Sequence, residues 1–322
     1  MKNISLISPN SCHTFVVEKS SSKKRLDVFL TEKFPSYSRT FMKNIITQNL
    51  VSIVGKSKIQ PRTVIFENDT IEVTFPPEQQ KPEKKELSDE FKVELIEENK
   101  HFLIVNKPAG LVVHEPHTGS TEITLVDYLV HMFDELKKIG DSSRPGIVHR
   151  LDKNTSGIMI VARNNCAHTE FTRMFKDREI KKTYIALVHG HPEKTGEINL
   201  SIMRSPYNRK KMIHTTKSLK NVGQKVRNAH SSYKVIEYFN QYSLIEVKPT
   251  TGRTHQIRVH LAGIGHPIVG DTLYGKSSKL ISRHALHAAK LEFTLNEKAY
   301  TFCKSIPADF TNAVDQIKNK NL

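Results

Sequence analysis

A polar turn that leads into a short apolar run is the feature that most constrains this chain. Residues 157–162, Gly-Ile-Met-Ile-Val-Ala, are apolar and β-prone, and a run this short predicts a buried strand. His149, Arg150 and Asp152 precede it, and the run Thr-Ser-Gly at 155–157 is a turn signal. One carboxylate, flanked by cations, is therefore expected in a loop that enters a buried strand. A rigid scaffold that presents such a loop is a common arrangement for an active site.

Asp152 also has a purely structural interpretation. Aspartate residues in turns usually accept hydrogen bonds from nearby backbone amides, which stabilises the turn. In that case His149 and Arg150 would be its solvated neighbours. The spacing alone leaves both interpretations open.

The charge of the chain favours a polyanionic partner. Its 322 residues carry a formal net charge of +16, from 49 basic and 33 acidic residues, and allow for two domains. The segment 170–230 holds 14 basic and 5 acidic residues, a surplus of nine. A solvated surface needs no such concentration, so we expect a patch that faces RNA or DNA. The 37% of hydrophobic residues suffice for a globular core.

Cysteine and histidine usage argues against disulfides and metal centres. The three cysteines are far apart and form no Cys-x-x-Cys pair: Cys12, Cys166 and Cys303. This pattern fits a reducing cytoplasm. The histidine pairs at 114/117 and 189/191 have ligand-like spacing but lack a nearby cluster of acids or thiols, so no metal site is expected. The sequence has no apolar run of about 18 residues, so no membrane span is predicted. Residues 1–12 lack the apolar core of a signal peptide.

The pattern of the first 91 residues predicts a small domain followed by a linker. Residues 1–15 are expected to be irregular and mobile. A domain over 16–78 is predicted to hold two helices, the second capped by Ser38, and a small hairpin from the alternating residues at 51–53 and 71–75. The proline-rich, charged stretch 79–91 has the composition of a linker.

The remaining residues, 92–322, predict a second domain of the α+β class. Strand patterns outnumber helical ones, and hairpins outnumber β-α-β units, so we expect a mixed, largely antiparallel sheet. A helix with Thr124 as its N-cap, a strand at 183–188 and a helix at about 254–262 are expected. The basic stretch 203–227 has few apolar residues and predicts long, exposed loops.

The residues 149–157, His-Arg-Leu-Asp-Lys-Asn-Thr-Ser-Gly, resemble the catalytic motif of RluA-type pseudouridine synthases. Three further segments resemble the other motifs of that family in the expected order: 107–114, 182–190 and 251–262, the last extended by 265–271. One departure is the sequence His-Glu-Pro-His at 114–117, where the family usually has a Pro-Gly-rich stretch. The resemblance covers roughly residues 16–305.

The first domain resembles the αL RNA-binding module shared with a small-subunit ribosomal protein, as in the RluD branch of the family. The segments that carry this resemblance are 25–27, 38–39, 55–56 and 69–71. The resemblance implies a surface that contacts RNA phosphates, formed by Lys23, Lys24, Arg25, Arg39, Lys43 and Lys56. The alternative is an ordinary solvated helix face.

The resemblance implies a reaction that needs neither a metal nor a redox cofactor. Pseudouridine formation breaks the N1–C1′ bond of uridine, turns the base and joins C5 to C1′. The reaction needs a carboxylate at the ribose, either to attack C1′ or to take a proton from C2′. By resemblance this carboxylate is Asp152, and both routes stay open.

The resemblance also implies roles for the other motif residues. A carboxylate in a closed pocket tends to neutralise unless a cation holds it charged, and the family pattern gives that role to Arg253. Tyr184 is expected to stack on the flipped uracil and to take part in the proton transfer at C5. Arg150 is expected to fill the space that the flipped base leaves, and His149 to position the loop. His255 and Arg258 are expected to support the pocket or to contact RNA.

We therefore predict a cytoplasmic, monomeric RNA pseudouridine synthase that acts on large-subunit ribosomal RNA. Transfer RNA is the alternative substrate. A non-catalytic ribosomal-RNA-binding assembly factor is the alternative function, and it predicts tolerance to substitution at Asp152 and Arg253. The sequence contains neither a glycine-rich nucleotide-binding loop nor a Gly-x-Ser-x-Gly elbow, so no motif favours another enzyme class.

Overall fold

The computed structural model describes residues 11–35, 37, 39–76, 87, 91–115, 120–141, 143–215 and 226–320. Spatial proximity divides the chain into two units, Met1–Lys81 and Pro82–Leu322. The linker predicted at 79–91 lies outside the described residues except for residues 87 and 91. Ser38, the predicted cap of the second helix, also lies outside them.

The N-terminal unit combines two helices with a three-stranded antiparallel sheet. Its elements are β1 (Cys12–Val16), a 3-10 helix (Lys19–Ser21), α1 (Leu26–Lys33), α2 (Arg39–Thr47), β2 (Val51–Ile53) and β3 (Thr70–Thr74). β3 lies between β1 and β2. Alternate residues of the sheet, such as Ile71 and Val73, are fully buried and pack with Phe29 and Met42 of the two helices. This period-two burial is what the sequence pattern predicts.

The first strand begins earlier than predicted. β1 pairs with β3 along its whole length, so that Phe15 lies opposite Ile71. The ring of Phe15 packs edge-on against Phe29 of α1. The prediction of irregular structure up to residue 15 is therefore wrong for residues 12–15. A strand at the edge of a sheet, half exposed and with polar residues at alternate positions, gives only a weak apolar signal.

The second unit is built on a nine-stranded sheet. Its strands are β4 (Glu94–Glu98), β5 (Phe102–Lys107), β6 (Ser156–Ala162), β7 (Lys181–His189), β8 (Thr195–Ile198), β11 (Ser231–Tyr238), β12 (Tyr242–Pro249), β13 (Leu286–Leu295) and β14 (Lys298–Cys303). The strand order is β4-β5-β6-β13-β7-β12-β11-β8, and β14 pairs with β13. Among the described strands, β6 and β13 form the parallel pair and the others are antiparallel. The predicted α+β class with a mixed, largely antiparallel sheet is confirmed.

Helices cover both faces of the sheet around β6. The helices are α3 (Leu125–Met132), α4 (Asn165–Asp177), α5 (Gln256–Gly263) and α6 (Ala308–Lys320), with a 3-10 helix at Asp134–Lys138. Met159 and Val161 of β6 pack with Leu129 of α3, whereas Ile160 packs with Phe171 of α4. All seven residues of β6 are buried, which confirms the buried strand predicted from the apolar run.

Two helix starts show how local sequence sets the ends of these elements. The Thr124 side chain accepts the amide of Asp127, and the Asp127 side chain accepts the amide of Thr124, which completes a capping box for α3. At α4 the Asn164 side chain accepts the amide of Ala167. The predicted capping role of Thr124 is confirmed.

The prediction of long loops over 203–227 is wrong for its first part. Residues Ser201–Arg204 form β9 and Met212–Thr215 form β10, and the two pair as an antiparallel hairpin. Ile202 and Met203 are buried and anchor the hairpin. The strands are so short that only two or three apolar residues mark them among the basic ones, which hides their alternation. Residues 216–225 lie outside the described residues.

Candidate active site

The loop 149–155 is fixed where it enters β6. Gly157 has a φ of +121°, and a Cβ added there would lie 2.3 Å from the carbonyl oxygen of Ala288 in β13. Only glycine fits this close approach of two backbones. The amide of Thr155 donates to the carbonyl of Asp152, which tightens the turn. The segment 149–157 is therefore a rigid turn at the end of a buried strand.

A cavity of about 480 Å³ opens beside this turn. Its walls come from five parts of the second unit: residues 148–152 and 155 of the loop, residues 175, 176 and 178 at the end of α4, residues 182 and 184 of β7, the segment 249–258, and Leu286 of β13. The Asp152 carboxylate lies at the wall and is 20% exposed. A volume of this size is in the range of small-ligand sites.

Arg258 holds the Asp152 carboxylate in place. Its Nη1 donates to Oδ2 of Asp152 at 3.0 Å. Its Nε and Nη2 donate to the two oxygens of Asp271 at 2.7 and 2.9 Å. Burial opposes the charge of Arg258, but the two carboxylates outweigh it and raise the pKa of Arg258 above its ordinary value. A rigid guanidinium that bridges two carboxylates fixes their positions better than a single pair would.

The predicted pairing of Arg253 with Asp152 is wrong. Nε of Arg253 instead donates to the carbonyl of Asn228 at 3.1 Å. Arg253 lies ahead of α5, and the left-handed His255 (φ 56°) turns the chain sharply before the helix begins. Arg258 lies inside the helix, where it reaches the loop. Arg253 still lines the cavity.

His255 links Asp152 to a tyrosine that the sequence did not single out. Its Nε2 lies 3.8 Å from Oδ2 of Asp152, and its Nδ1 lies 2.8 Å from the hydroxyl of Tyr274. That hydroxyl accepts the amide of Met212 at 2.8 Å. We assign the tautomer in which the Tyr274 hydroxyl donates to Nδ1, which leaves the Nε2 proton facing Asp152. Burial lowers the pKa of His255, so the ring is neutral near pH 7.

Tyr184 presents its ring to the same cavity. It lies on β7 between β12 and β13, opposite Val247 and Ala288. Burial and the nearby Asp152 carboxylate raise the pKa of Tyr184 above its ordinary value. The phenol is therefore neutral at physiological pH, and it offers the cavity an aromatic face and a hydroxyl.

Comparison with known proteins shows the family of this chain. Residues 101–263 match the family model described as RNA pseudouridylate synthase. The chain belongs to this family. A ribosomal large subunit pseudouridine synthase D of Zymomonas mobilis is 37% identical to this synthase over 300 residues, which cover 88% of this chain and 91% of the relative. An uncharacterized RNA pseudouridine synthase of Aquifex aeolicus is 38% identical over 268 residues, which cover 82% and 81%.

The fold of the synthase is also found in solved structures. Human RNA pseudouridylate synthase domain containing 1 superposes with a TM-score of 0.56 at 25% identity, covering 74% of this chain and 97% of that chain. The similarity to an RluA-type synthase close to RluD, stated above from the motifs, is confirmed. The chain is an RNA uridine isomerase.

The other loop residues of the synthase have different environments. Nη1 of the exposed Arg150 lies 3.1 Å from Nε2 of His114. Nε2 of His149 accepts the amide of Ile160 at 2.9 Å, and its ring stacks on Phe175 with centroids 4.5 Å apart. His149 therefore ties the loop to β6 and α4, whereas Arg150 projects outward.

Lys107 is a site residue that the sequence reasoning did not single out. It ends β5 and is fully buried, and its Nζ donates to the carbonyls of Pro108, Leu111 and Lys153 at 2.8, 2.9 and 3.0 Å. Burial lowers the pKa of Lys107 to about 7, although the Asp152 carboxylate opposes this shift. Lys107 thus joins the segment 107–111 to the loop that holds Asp152. A lysine at the end of an apolar strand was the available signal.

Three residues in or just before β13, which the sequence did not single out, also hold the loop. Nε2 of His284 lies 2.8 Å from the Thr155 hydroxyl, and Nδ1 of His287 lies 2.9 Å from the Ser156 hydroxyl. Arg283 donates to the Asn154 carbonyl at 3.1 Å and forms two hydrogen bonds with Asp309 of α6. The loop is therefore fixed by residues about 130 positions later in the chain.

The buried histidines predict acid sensitivity. Burial lowers the pKa of His149 and His284 to about 3 and that of His287 to about 4. Below pH 6.5 the unfolded chain binds more protons than the folded one, so stability falls as the pH falls. Each histidine contributes about 1.4 kcal/mol per pH unit. We expect the free energy of unfolding, measured with urea, to drop steeply between pH 6 and 4.

Replacing one buried histidine tests this expectation. His287→Asn should lower stability at pH 7 and reduce the slope between pH 6 and 4 by about 1.4 kcal/mol per pH unit, the contribution of one such histidine. The exposed His131→Gln is the matched control and should leave the slope unchanged. Equal slopes for His287→Asn and the unsubstituted chain would contradict the assignment.

Three of the six cations predicted to contact phosphates in the N-terminal unit converge on a buried acid. The Asp27 side chain is fully buried, and Arg25 and Arg39 each approach it to 3.0 Å, with Lys43 at 4.0 Å. Lys56 pairs with an acid as well, at 2.7 Å from Asp69. Lys24 pairs with Glu32 at 2.7 Å, and Lys23 lies in a left-handed turn. The three cations at Asp27 remain nearly half exposed, so Asp27 orders them at the surface.

Asp27→Asn is expected to loosen the N-terminal unit. Burial raises the pKa of Asp27, but hydrogen bonds from Arg25 and Arg39 outweigh it and the pKa lies below its ordinary value. Such a group stabilises the fold above the unfolded pKa of about 3.9 and loses this effect as the pH falls through the folded pKa. Hydrogen exchange of the β3 amides should show a loss of about 1–3 kcal/mol at pH 7 and a smaller loss at pH 3.

The exposed Glu67→Gln serves as the control for Asp27→Asn, because it removes a carboxylate of the same unit without touching this cluster. Full protection of the β3 amides in Asp27→Asn at pH 7 would show that the cluster does not stabilise the unit.

Neither a metal centre nor a membrane span is found among the described residues. No three His, Cys, Asp or Glu side chains there are arranged to hold a metal ion. No helix within the described ranges is long and apolar enough to cross a bilayer.

Proposed function

We propose that this synthase isomerises specific uridines of large-subunit ribosomal RNA, with Asp152 as the catalytic carboxylate. The observation that carries the proposal is the position of Asp152 at the cavity wall, held by Arg258 at 3.0 Å. The relatives named ribosomal large subunit pseudouridine synthase D support the choice of RNA. The match covers 91% of the Zymomonas mobilis relative, so the similarity includes nearly the whole of that protein.

The target uridine must leave its stack to reach Asp152, at a cost of a few kcal/mol. Arg258 and His255 both approach Oδ2, so we assign the other oxygen, Oδ1, to the ribose. It attacks C1′ or takes a proton from C2′, and the N1–C1′ bond breaks in either case. The freed base turns so that C5 faces C1′. In the first route the C5–C1′ bond forms as the ester bond between Asp152 and C1′ breaks; in the second it forms as the carboxyl group returns its proton to C2′. A proton then leaves C5, N1 of the turned base takes up a proton, and the carboxylate is regenerated.

Tyr184 and Arg253 take the two supporting roles in this proposal. The Tyr184 ring stacks on the flipped uracil, and its neutral hydroxyl takes part in the proton transfer at C5. Arg253 lines the cavity, where burial and the neighbouring Arg227 and Arg178 lower its pKa. Arg253 and Arg178 both line the cavity, and guanidinium groups suit a phosphate backbone, so we assign Arg253 to RNA binding.

The surroundings of the site support the proposed partner. The basic surplus of the segment 170–230 belongs to the unit that holds the cavity. Binding to RNA should therefore weaken steeply with salt, since each neutralised phosphate releases counterions. The free thiols of Cys12, Cys166 and Cys303 support the proposal of a reducing, cytoplasmic setting.

Pseudouridine mapping on unmodified transcripts tests the proposal. Transcripts of large-subunit ribosomal RNA, small-subunit ribosomal RNA and transfer RNAs are incubated with the protein, treated with carbodiimide and read by primer extension. We expect new stops at a few uridines of the large-subunit transcript alone. Stops confined to transfer RNA would refute the proposed target. RNA binding without stops on any transcript would favour the assembly-factor alternative.

A further inference from the structure

The tip of the β9–β10 hairpin exposes an aromatic ring among cations. Tyr207 is 97% exposed, more than any other large hydrophobic residue among the described ones. The hairpin, residues 201–215, contains four basic residues and no acidic one: Arg204, Arg209, Lys210 and Lys211. An aromatic ring that is almost fully exposed offers its apolar faces to a partner that can stack on them.

The tip is an ordered turn. The hydroxyl of Ser205 accepts the amides of Tyr207 and Asn208 at 3.3 and 3.2 Å, and Oδ1 of Asn208 accepts the amide of Lys210 at 3.0 Å. The guanidinium of Arg204 donates to the carbonyl of Arg209. The turn therefore fixes the backbone from which the Tyr207 side chain projects, which lowers the entropy cost of binding a partner there.

The hairpin is attached to the active site close to its tip, where Met212 lies opposite Arg204. The amide of Met212 donates to the hydroxyl of Tyr274, and Nζ of Lys211 lies 5.5 Å from the centroid of its ring. Tyr274 contacts His255 through the same hydroxyl, and the guanidinium of Arg258 lies 5.0 Å from its ring. One residue thus joins the hairpin to both partners of Asp152.

We propose that this hairpin is an RNA-binding arm, in which Tyr207 stacks on an unpaired base and the adjacent cations contact phosphates. An aromatic platform beside a row of cations is how proteins hold single-stranded nucleic acid without reading its sequence. The complete lack of acidic residues in the hairpin favours a polyanion over a protein partner. The inference deepens the proposed function, because extruding a uridine leaves its neighbours unstacked. Tyr207 gives one of them a new stacking surface.

Binding of a fluorescein-labelled 12-nucleotide oligouridine, followed by anisotropy, tests the arm without requiring turnover. We expect Tyr207→Ala to weaken binding about tenfold and Tyr207→Phe to bind within twofold of the unsubstituted chain, since stacking needs the ring and not the hydroxyl. The side chain is exposed, so both variants should keep the thermal unfolding midpoint. Equal binding by Tyr207→Ala, equal losses for Ala and Phe, or no binding by the unsubstituted chain would each overturn the proposal.

The charge of the tip is tested separately. Lys210→Gln should reduce the slope of log K against log salt by about 0.7, the value for one phosphate contact on a single strand. Lys298→Gln, at the exposed tip of the β13–β14 hairpin, is the matched control and should leave the slope unchanged. Equal slopes for Lys210→Gln and the unsubstituted chain would overturn the phosphate contact.

These outcomes are independent of the ribosomal target. If the arm variants behave as expected while mapping finds no modified large-subunit uridine, then the arm stands and the proposed target fails. If mapping succeeds while Tyr207→Ala binds and reacts like the unsubstituted chain, then the target stands and the arm fails.

Discussion

Asp152→Asn is expected to lower the isomerisation rate by about 10³-fold or more, because an amide neither attacks C1′ nor accepts a proton from C2′. This factor corresponds to about 4 kcal/mol of transition-state stabilisation. RNA affinity should stay within a few-fold or rise slightly, since the substitution removes a negative charge from a surface that binds a polyanion. Single-turnover kinetics on the mapped transcript, together with a filter-binding measurement, separate the two effects.

The fold of Asp152→Asn should remain intact. Arg258 keeps its two hydrogen bonds to Asp271, and Asp152 itself is partly exposed. Asp177→Asn on α4, where the carboxylate pairs with the exposed Arg173, is the matched control and should react at the unsubstituted rate. Turnover by Asp152→Asn within tenfold of the unsubstituted enzyme would refute the assignment of the carboxylate.

Arg258→Gln is expected to be the second most damaging change, since it affects both activity and stability. It frees the Asp152 carboxylate to move, and misplacing a reactive group by about 1 Å costs about 100-fold in rate. It also leaves the Asp271 carboxylate buried without its partner, which costs about 3–5 kcal/mol. Chemical denaturation and single-turnover rates measure the two losses.

A second substitution separates the two losses. Asp271→Asn in the Arg258→Gln background removes the unpaired buried charge, so stability should partly recover while the rate stays low. Recovery of the rate with the stability would show that Arg258 acts only through the fold.

Arg253→Gln provides the contrast to Arg258→Gln. Arg253 lies at the cavity rim and donates to the Asn228 carbonyl, so its loss should raise the half-saturating RNA concentration and spare the rate at saturation. An equal fall in the saturating rate for both arginine variants would contradict the assignment of Arg253 to RNA binding and of Arg258 to holding Asp152.

The local features of the site could be predicted from sequence because they lie in one continuous stretch. The buried strand β6 and the turn that holds Asp152 follow from a run of apolar residues and a turn signal. The partner of Asp152 could not be predicted in this way. Arg253 and Arg258 are five residues apart, and the choice between them depends on where α5 begins and on the left-handed turn at His255.

The supporting residues were missed for a different reason. Lys107, Arg283 and His284 act through hydrogen bonds to backbone and hydroxyl groups that are distant in sequence. No periodicity marks such a residue, because its partner is set by the sheet order and not by its neighbours in the chain. In the N-terminal unit the cations were visible in the sequence, but their convergence on Asp27 depends on the packing of α1 against α2.

The parallel pairing of β6 with β13 has a consequence for how the protein reaches its active form. Ser156 and His287, which lie opposite each other in this pair, are 131 residues apart in the chain. Closing so large a loop costs conformational entropy before any contact rewards it, and pairings of this kind form slowly. The β5–β6 pair joins strands 50 to 60 residues apart, so its closure costs somewhat less entropy. We therefore expect the turn that carries Asp152 to reach its final geometry in a later step of folding, when β13 pairs beside β6.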